Sequence, residues 1–164
     1  MSGGESRNFC IGIDFGTRNS SIACLRGGQA ISKTNSSGHV VTPSFVAYTE
    51  DEEGQELVLT GASAQSFGRN FPQQTACAIK RVIGSAYADL AKPPLKDTVL
   101  SWPFKVVNHE STPTVEIKLE NMVIHRTPQQ VSAELLKALK ADAEAFLKAP
   151  ATEAVISVPG NLRV

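Results

Sequence analysis

The chain has 164 residues, 41% apolar and 20% charged, which fits one ordinary domain or two small lobes and excludes wholesale disorder, collagen-like repeats and a long coiled coil. Sixteen basic residues balance sixteen acidic ones, so no broad field draws the chain to nucleic acid or an anionic membrane, and any phosphate binding must be local. Three cysteines, Cys10, Cys24 and Cys77, are too few and too scattered for a disulfide framework or a zinc site. They read as buried reduced thiols of a reducing compartment.

Residues 1–8 are small and polar and read as a disordered lead-in, without the apolar run of a secretory signal. No apolar stretch approaches the ~20 residues that span a bilayer. FCIGID, residues 9–14, is a short apolar run and predicts a buried strand. FGTRNS then turns the chain, and residues 21–26 and 29–33 predict two more strands. Gly27 and Gly28 between them suit a two-residue hairpin, so the chain opens as a three-stranded antiparallel meander. Residues 34–43 read as loop, 44–49 as a strand, 50–56 as an acidic surface loop, 57–59 as a short strand and 61–68 as a weak helix.

Residues 75–83 predict a helix, with Thr75 as cap, Ala76, Ile79, Val82 and Ile83 at helical spacing, and Gly84 as its stop. Residues 85–96 read as loop, and 98–107 as an edge strand broken by Pro103. Val115, Ile117 and Leu119 alternate with charges in a half-buried strand that Glu120 and Asn121 turn back into residues 122–125. The strongest helix is 127–148. Thr127 and Gln130 have capping-box spacing, Pro128 takes the first helical position, and Val131, Leu135, Leu139, Ala143 and Phe146 form one apolar stripe. Residues 154–158 predict a buried strand beside the first, reached by a right-handed crossover.

These elements predict an α/β fold built on a mixed sheet. Residues 9–38 and 126–164 form the core lobe, and 39–125 an inserted α+β subdomain. A mixed sheet wants helices on both faces, and residues 159–164 are too few to cover the second, so the expectation is the first part of something larger.

The most informative segment is residues 14–20. Asp14 ends an apolar strand, Gly16 permits close backbone approach, and Thr17, Asn19 and Ser20 add neutral donors. Such a turn can cradle phosphate oxygens, with Asp14 reaching them through Mg²⁺ or water; it is equally the pattern of an ordinary strand-end turn. Asp14-Phe15-Gly16 also matches a protein-kinase triplet, but thirteen preceding residues cannot hold the glycine loop, lysine strand and catalytic loop that a kinase requires. Lys80 falls late in the 75–83 helix, where it either complements the helix dipole or reaches a γ-phosphate or its attacking water. His39, His109 and His125 receive no role.

IGIDFGTRNS resembles the first phosphate loop of the actin-like ATPase superfamily, whose core is ribonuclease H-like. VTPSFVAYT (41–49), TGASA (60–64), IKRVIG (79–84), SWPFKVVN (101–108) and AVISVPG (154–160) narrow the resemblance to the seventy-kilodalton heat-shock chaperones. It covers residues 9–159 and implies lobe I of an ATP-binding domain. By that resemblance Asp14 contacts the metal's hydration shell, and Gly16, Thr17, Arg18 and Asn19 line the β- and γ-phosphates. Lys80 is the catalytic lysine that orients the attacking water, and Pro159 switches with nucleotide state. The implied cofactors are ATP or ADP with Mg²⁺ and K⁺. The implied partners are J-domain co-chaperones, nucleotide-exchange factors and unfolded client peptides, in the cytoplasm or nucleus, without nucleic acid or membrane.

Arg18 and Asn19 depart from the family's Thr and Tyr, Val40 from its Arg, and residues 160–164 from its continuation. The second phosphate loop and the adenosine-binding segments have no counterpart, so the expectation is a divergent, incomplete member that is inactive alone. A non-catalytic regulatory or ribosome-associated relative is the alternative, and a sugar kinase of the same superfamily is disfavoured by the WPF block and the Lys80 segment.

Overall fold

The computed structural model describes residues 9–26 and 28–158. β1 (Phe9–Asp14) lies inside a five-stranded mixed sheet, pairing antiparallel with β2 (Asn19–Arg26) and parallel with β11 (Ala151–Ser157). β3 (Gln29–Lys33) extends the antiparallel side. Arg26 faces Gln29 across the turn, and Gly28 takes φ +80°, a conformation open to glycine. β4 (Val41–Pro43) also pairs with β2, in a segment expected to be loop.

Two smaller three-stranded sheets occupy residues 45–126. One is β6 (Glu56–Thr60), β5 (Phe45–Glu50) and β7 (Thr75–Cys77), with the short helix α1 (Gly61–Phe67) following β6. The other is β10 (Val123–Arg126), β9 (Thr112–Lys118) and β8 (Lys105–His109), preceded by α2 (Leu95–Leu100).

α3 (Pro128–Leu147) joins these sheets to the core. Thr127 accepts from the Gln130 amide and the Gln130 side chain accepts from the Thr127 amide, a closed capping box, with Pro128 in the first turn. Val131, Leu135, Leu139 and Ala143 are buried along one face, as their spacing predicts. They meet Ile11, Ile13 and Ile22 of the main sheet and Val46, Tyr48, Val115 and Ile117 of the smaller sheets in one continuous apolar core. Among the described residues no helix is long and apolar enough to cross a membrane.

Besides β4, three expectations fail. Residues 75–83 are not a helix. Thr75, Ala76 and Cys77 pair with Ala47, Val46 and Phe45, Ala78 takes a left-handed φ of +53°, and Ile79–Arg81 is a single 3-10 turn. The spacing of Ala76, Ile79 and Val82 reads as helical, but residues 75–77 are taken by pairing with β5 and the rest by a 3-10 turn, a tertiary outcome that local spacing does not encode. Residues 95–100 are helical rather than loop and strand, and the following strand starts past Pro103. β11 begins earlier than expected and lies exposed beyond Ala151, because it is the edge of its sheet.

Candidate functional site

β1 and β11 run parallel and end side by side, with Asp14 opposite Ser157. The carboxyl ends of adjacent parallel strands are where open α/β sheets hold ligands. Asp14 is exposed there and accepts from the Ser157 hydroxyl at 2.5 Å. Phe15 then turns inward and is 5% exposed, which fastens the start of the turn to the core.

Gly16 is held from both sides. Its amide donates to Ser20 Oγ at 3.2 Å, and its carbonyl accepts from Ser44 Oγ at 2.9 Å. The two buried hydroxyls lie 2.9 Å apart. A Cβ on Gly16 would stand 1.9 Å from the Asn19 carbonyl oxygen, so the turn's own tightness, and not a ligand alone, requires glycine here. Ser20, counted among the turn's neutral donors, faces Ser44.

The Ser44 amide donates to the Arg18 carbonyl at 2.8 Å. Asn19 and Pro43 are thereby a non-hydrogen-bonded pair, so proline costs β4 no ladder bond. Arg18 and Asn19 carry exposed side chains, and Thr17 is half-buried. Among the described residues, the Thr17 and Arg18 amides have no protein acceptor. Two successive N–H groups without a protein acceptor are donors that an anion could engage.

Lys80 reaches this turn from the 3-10 turn Ile79–Arg81. Ile79 is buried, and the Lys80 ammonium donates to the Phe15 carbonyl, with Nζ 5.4 Å from the Phe15 ring centroid. The dipole arrangement expected at a helix end does not form, because there is no helix. A narrow cleft lined by Phe15, Val46, Ile79, Val131 and Leu135 lies beneath, so the ammonium stands on an apolar floor.

The structure thus brings Asp14, Gly16, Thr17, Arg18, Asn19 and Lys80 to one corner. Pro159 lies outside the described residues. Among those residues no group of three or more His, Cys, Asp or Glu could ligate a metal directly. A lone exposed carboxylate at Asp14 fits a cation that carries its own water and phosphate ligands. The three thiols are unpaired; Cys24 is buried as expected, whereas Cys10 and Cys77 are only partly so. Burial pushes the Cys24 and Cys77 thiols above their usual range. Sequence reasoning missed Ser44. Its one visible signal is a hydroxyl opening an apolar strand directly after a proline, which looks like any loop-to-strand junction.

A glycine-dependent turn at parallel strand ends, two unpaired amides and a lysine from a distant segment define a site suited to an anion. Residues 10–161 match the family model described as Hsp70 protein, and the chain belongs to that family. It is 37% identical over 149 residues to a heat shock protein of Pyricularia oryzae, a match covering 91% of this chain and 23% of that protein. It is 39% identical over 153 residues to the chaperone protein DnaK of Stenotrophomonas maltophilia, covering 91% of this chain and 22% of that one. The chain therefore spans less than a quarter of the length of these relatives.

Proposed function

We propose that this chain provides one wall of the nucleotide site of an ATP-driven chaperone, with residues 39–125 forming a subdomain inserted into the core lobe. The observation that carries the reading is the meeting of Lys80 with the Asp14–Asn19 turn across 65 residues of sequence. The Thr17 and Arg18 amides receive phosphate oxygens, with Gly16 and Asn19 shaping the turn between them. Asp14 faces the cation through water. Lys80 orients the water that attacks the γ-phosphorus as the bond to the β–γ bridging oxygen breaks, giving ADP and phosphate. Mg²⁺, when bound, neutralises charge on the β- and γ-phosphates, and K⁺ is the second cation of the reading. Pro159 relays nucleotide state onward, and the partners are J-domain co-chaperones, exchange factors and unfolded peptides.

A non-catalytic, partner-binding relative is the second reading. It is favoured by Lys80 being already engaged by the Phe15 carbonyl. An amide NMR titration with Mg-ADP tests the first. Saturable shifts are expected at Thr17, Arg18 and Lys80, without ATP turnover by the 164-residue chain. Shifts absent from residues 14–20 at millimolar Mg-ADP would reject the nucleotide site. Turnover by a family-length chain, abolished by Lys80→Ala, separates the two readings.

A further inference from the structure

The hydroxyls of Ser20 and Ser44 lie outside the set of groups that face a ligand, yet both are nearly or fully buried and both hold Gly16. Ser44 has one hydroxyl proton, and it goes to the Gly16 carbonyl. The proton between the two serines must therefore come from Ser20, whose own oxygen accepts the Gly16 amide. The result is a closed ring: Gly16 N–H to Ser20, Ser20 to Ser44, and Ser44 back to the Gly16 carbonyl. Every donor and acceptor in it is satisfied, and each bond polarises the next.

We propose that Ser44 and Ser20 are positioning residues of the phosphate turn, and that Gly16 is part of its scaffold rather than one of its phosphate donors. The proposal rests on the nucleotide reading above for the identity of the ligand. With the Gly16 amide and carbonyl both engaged, the peptide planes on either side of Gly16 are held, and its N–H is not free to turn toward a phosphate. The Gly16 carbonyl shares its peptide plane with the Thr17 N–H, so the ring sets the direction of the Thr17 amide before any ligand arrives and brackets the Arg18 amide from one side. The Ser44 amide bond to the Arg18 carbonyl fixes the far end of the same dipeptide. One residue thus holds the turn at two places, and it lies between β4 and β5, at the junction with residues 45–126. Displacement of β5 relative to the main sheet would reach the Thr17 and Arg18 amides through Ser44.

The test uses the 164-residue chain and its Ser44→Ala, Ser20→Ala, double-alanine and Ser44→Thr variants, with Gly16 amide hydrogen exchange and Mg-ADP affinity as readouts. Each single alanine variant is expected to speed Gly16 exchange about tenfold, the scale of one lost buried hydrogen bond. The double variant is expected to be no faster than either single one, because either loss opens the ring. Ser44→Thr keeps the hydroxyl and is expected to restore slow exchange. Mg-ADP affinity should fall and recover in step. Ser44→Cys keeps the volume with a weak donor and replaces an alanine variant that does not fold; its Gly16 amide must also exchange faster. Unchanged Gly16 exchange, additive single effects, or no rescue by threonine would overturn the proposal. If the unaltered chain does not bind Mg-ADP, the nucleotide reading fails, and the exchange measurements still decide the ring.

Discussion

Ile13 of β1 has an isoleucine on either side. Across the antiparallel ladder stands Ile22, 3% exposed; across the parallel ladder stands Ile156, 39% exposed. Both neighbours belong to apolar strands of similar composition, and both pair in register. What separates them is place: β2 has β3 and β4 beyond it, whereas β11 is an edge strand with no described strand beyond it. Apolar sequence therefore says that a segment wants a sheet, and sheet order says whether it is covered. The candidate site straddles this boundary, with Asp14 held on the exposed side by Ser157 and Gly16 held on the covered side by Ser20 and Ser44.

The comparison is tested most severely by truncating both neighbours. Ile22→Ala should cost about 2–5 kcal/mol in urea denaturation, the usual loss for a buried aliphatic side chain. Ile156→Ala should cost about 1 kcal/mol or less, since much of its surface is already in water. Equal losses would mean that β11 is covered in solution. Gly16→Ala comes next. Its methyl would collide with the Asn19 carbonyl, so about 1–3 kcal/mol of overpacking is expected, together with changed amide shifts at Thr17 and Arg18. Thr127→Ala should cost about 1 kcal/mol by opening the α3 capping box, while the shifts of the phosphate turn stay unchanged.

The smallest effect concerns pH, in the sheet of β8, β9 and β10. Glu116 accepts a hydrogen bond from Lys105 and lies 3.6 Å from His125. The Lys105 bond, chiefly, holds its carboxyl below the usual glutamate range. A depressed folded value means that the pairing stabilises the fold above the ordinary carboxylate range and is lost as pH falls through the lowered value. Thermal melts from pH 6 to pH 3 should therefore decline slightly less in Glu116→Gln than in the unaltered chain. A steeper decline in the variant would reverse the sign.

The sequence made β1, the β2–β3 pairing and α3 legible because each carries a local signal: an apolar run, a glycine open to positive φ at Gly28, and a capping pair with a 3.6-residue stripe; Gly27 lies outside the described residues. It misled at residues 75–83 because Ala76, Ile79 and Val82 carry a helical spacing while the pairing partner of residues 75–77 is remote. That partner is β5, which lies some thirty residues earlier. It misled again at β11, whose apolar residues say nothing of what lies beyond the edge. At the site, Asp14 and Gly16 stand out by type and Lys80 by resemblance. Ser44 does not stand out, since its importance arises from burial beside Gly16, a property of the folded chain.

Three of the bonds that hold the turn also impose a timetable. Gly16 is met by a residue 28 positions later, Phe15 by one 65 later and Asp14 by one 143 later. A chain made from its N-terminus releases these partners in that order, at about 5–20 residues per second. The hydroxyl ring becomes available first, the lysine next and the Ser157 contact well after both. Parallel pairing of β1 with β11 also closes a loop over nearly all the residues between them, the kind of contact that forms slowly. Half of the corner has all its partners while β11 is still to be made, and the rest waits for that strand to leave the ribosome.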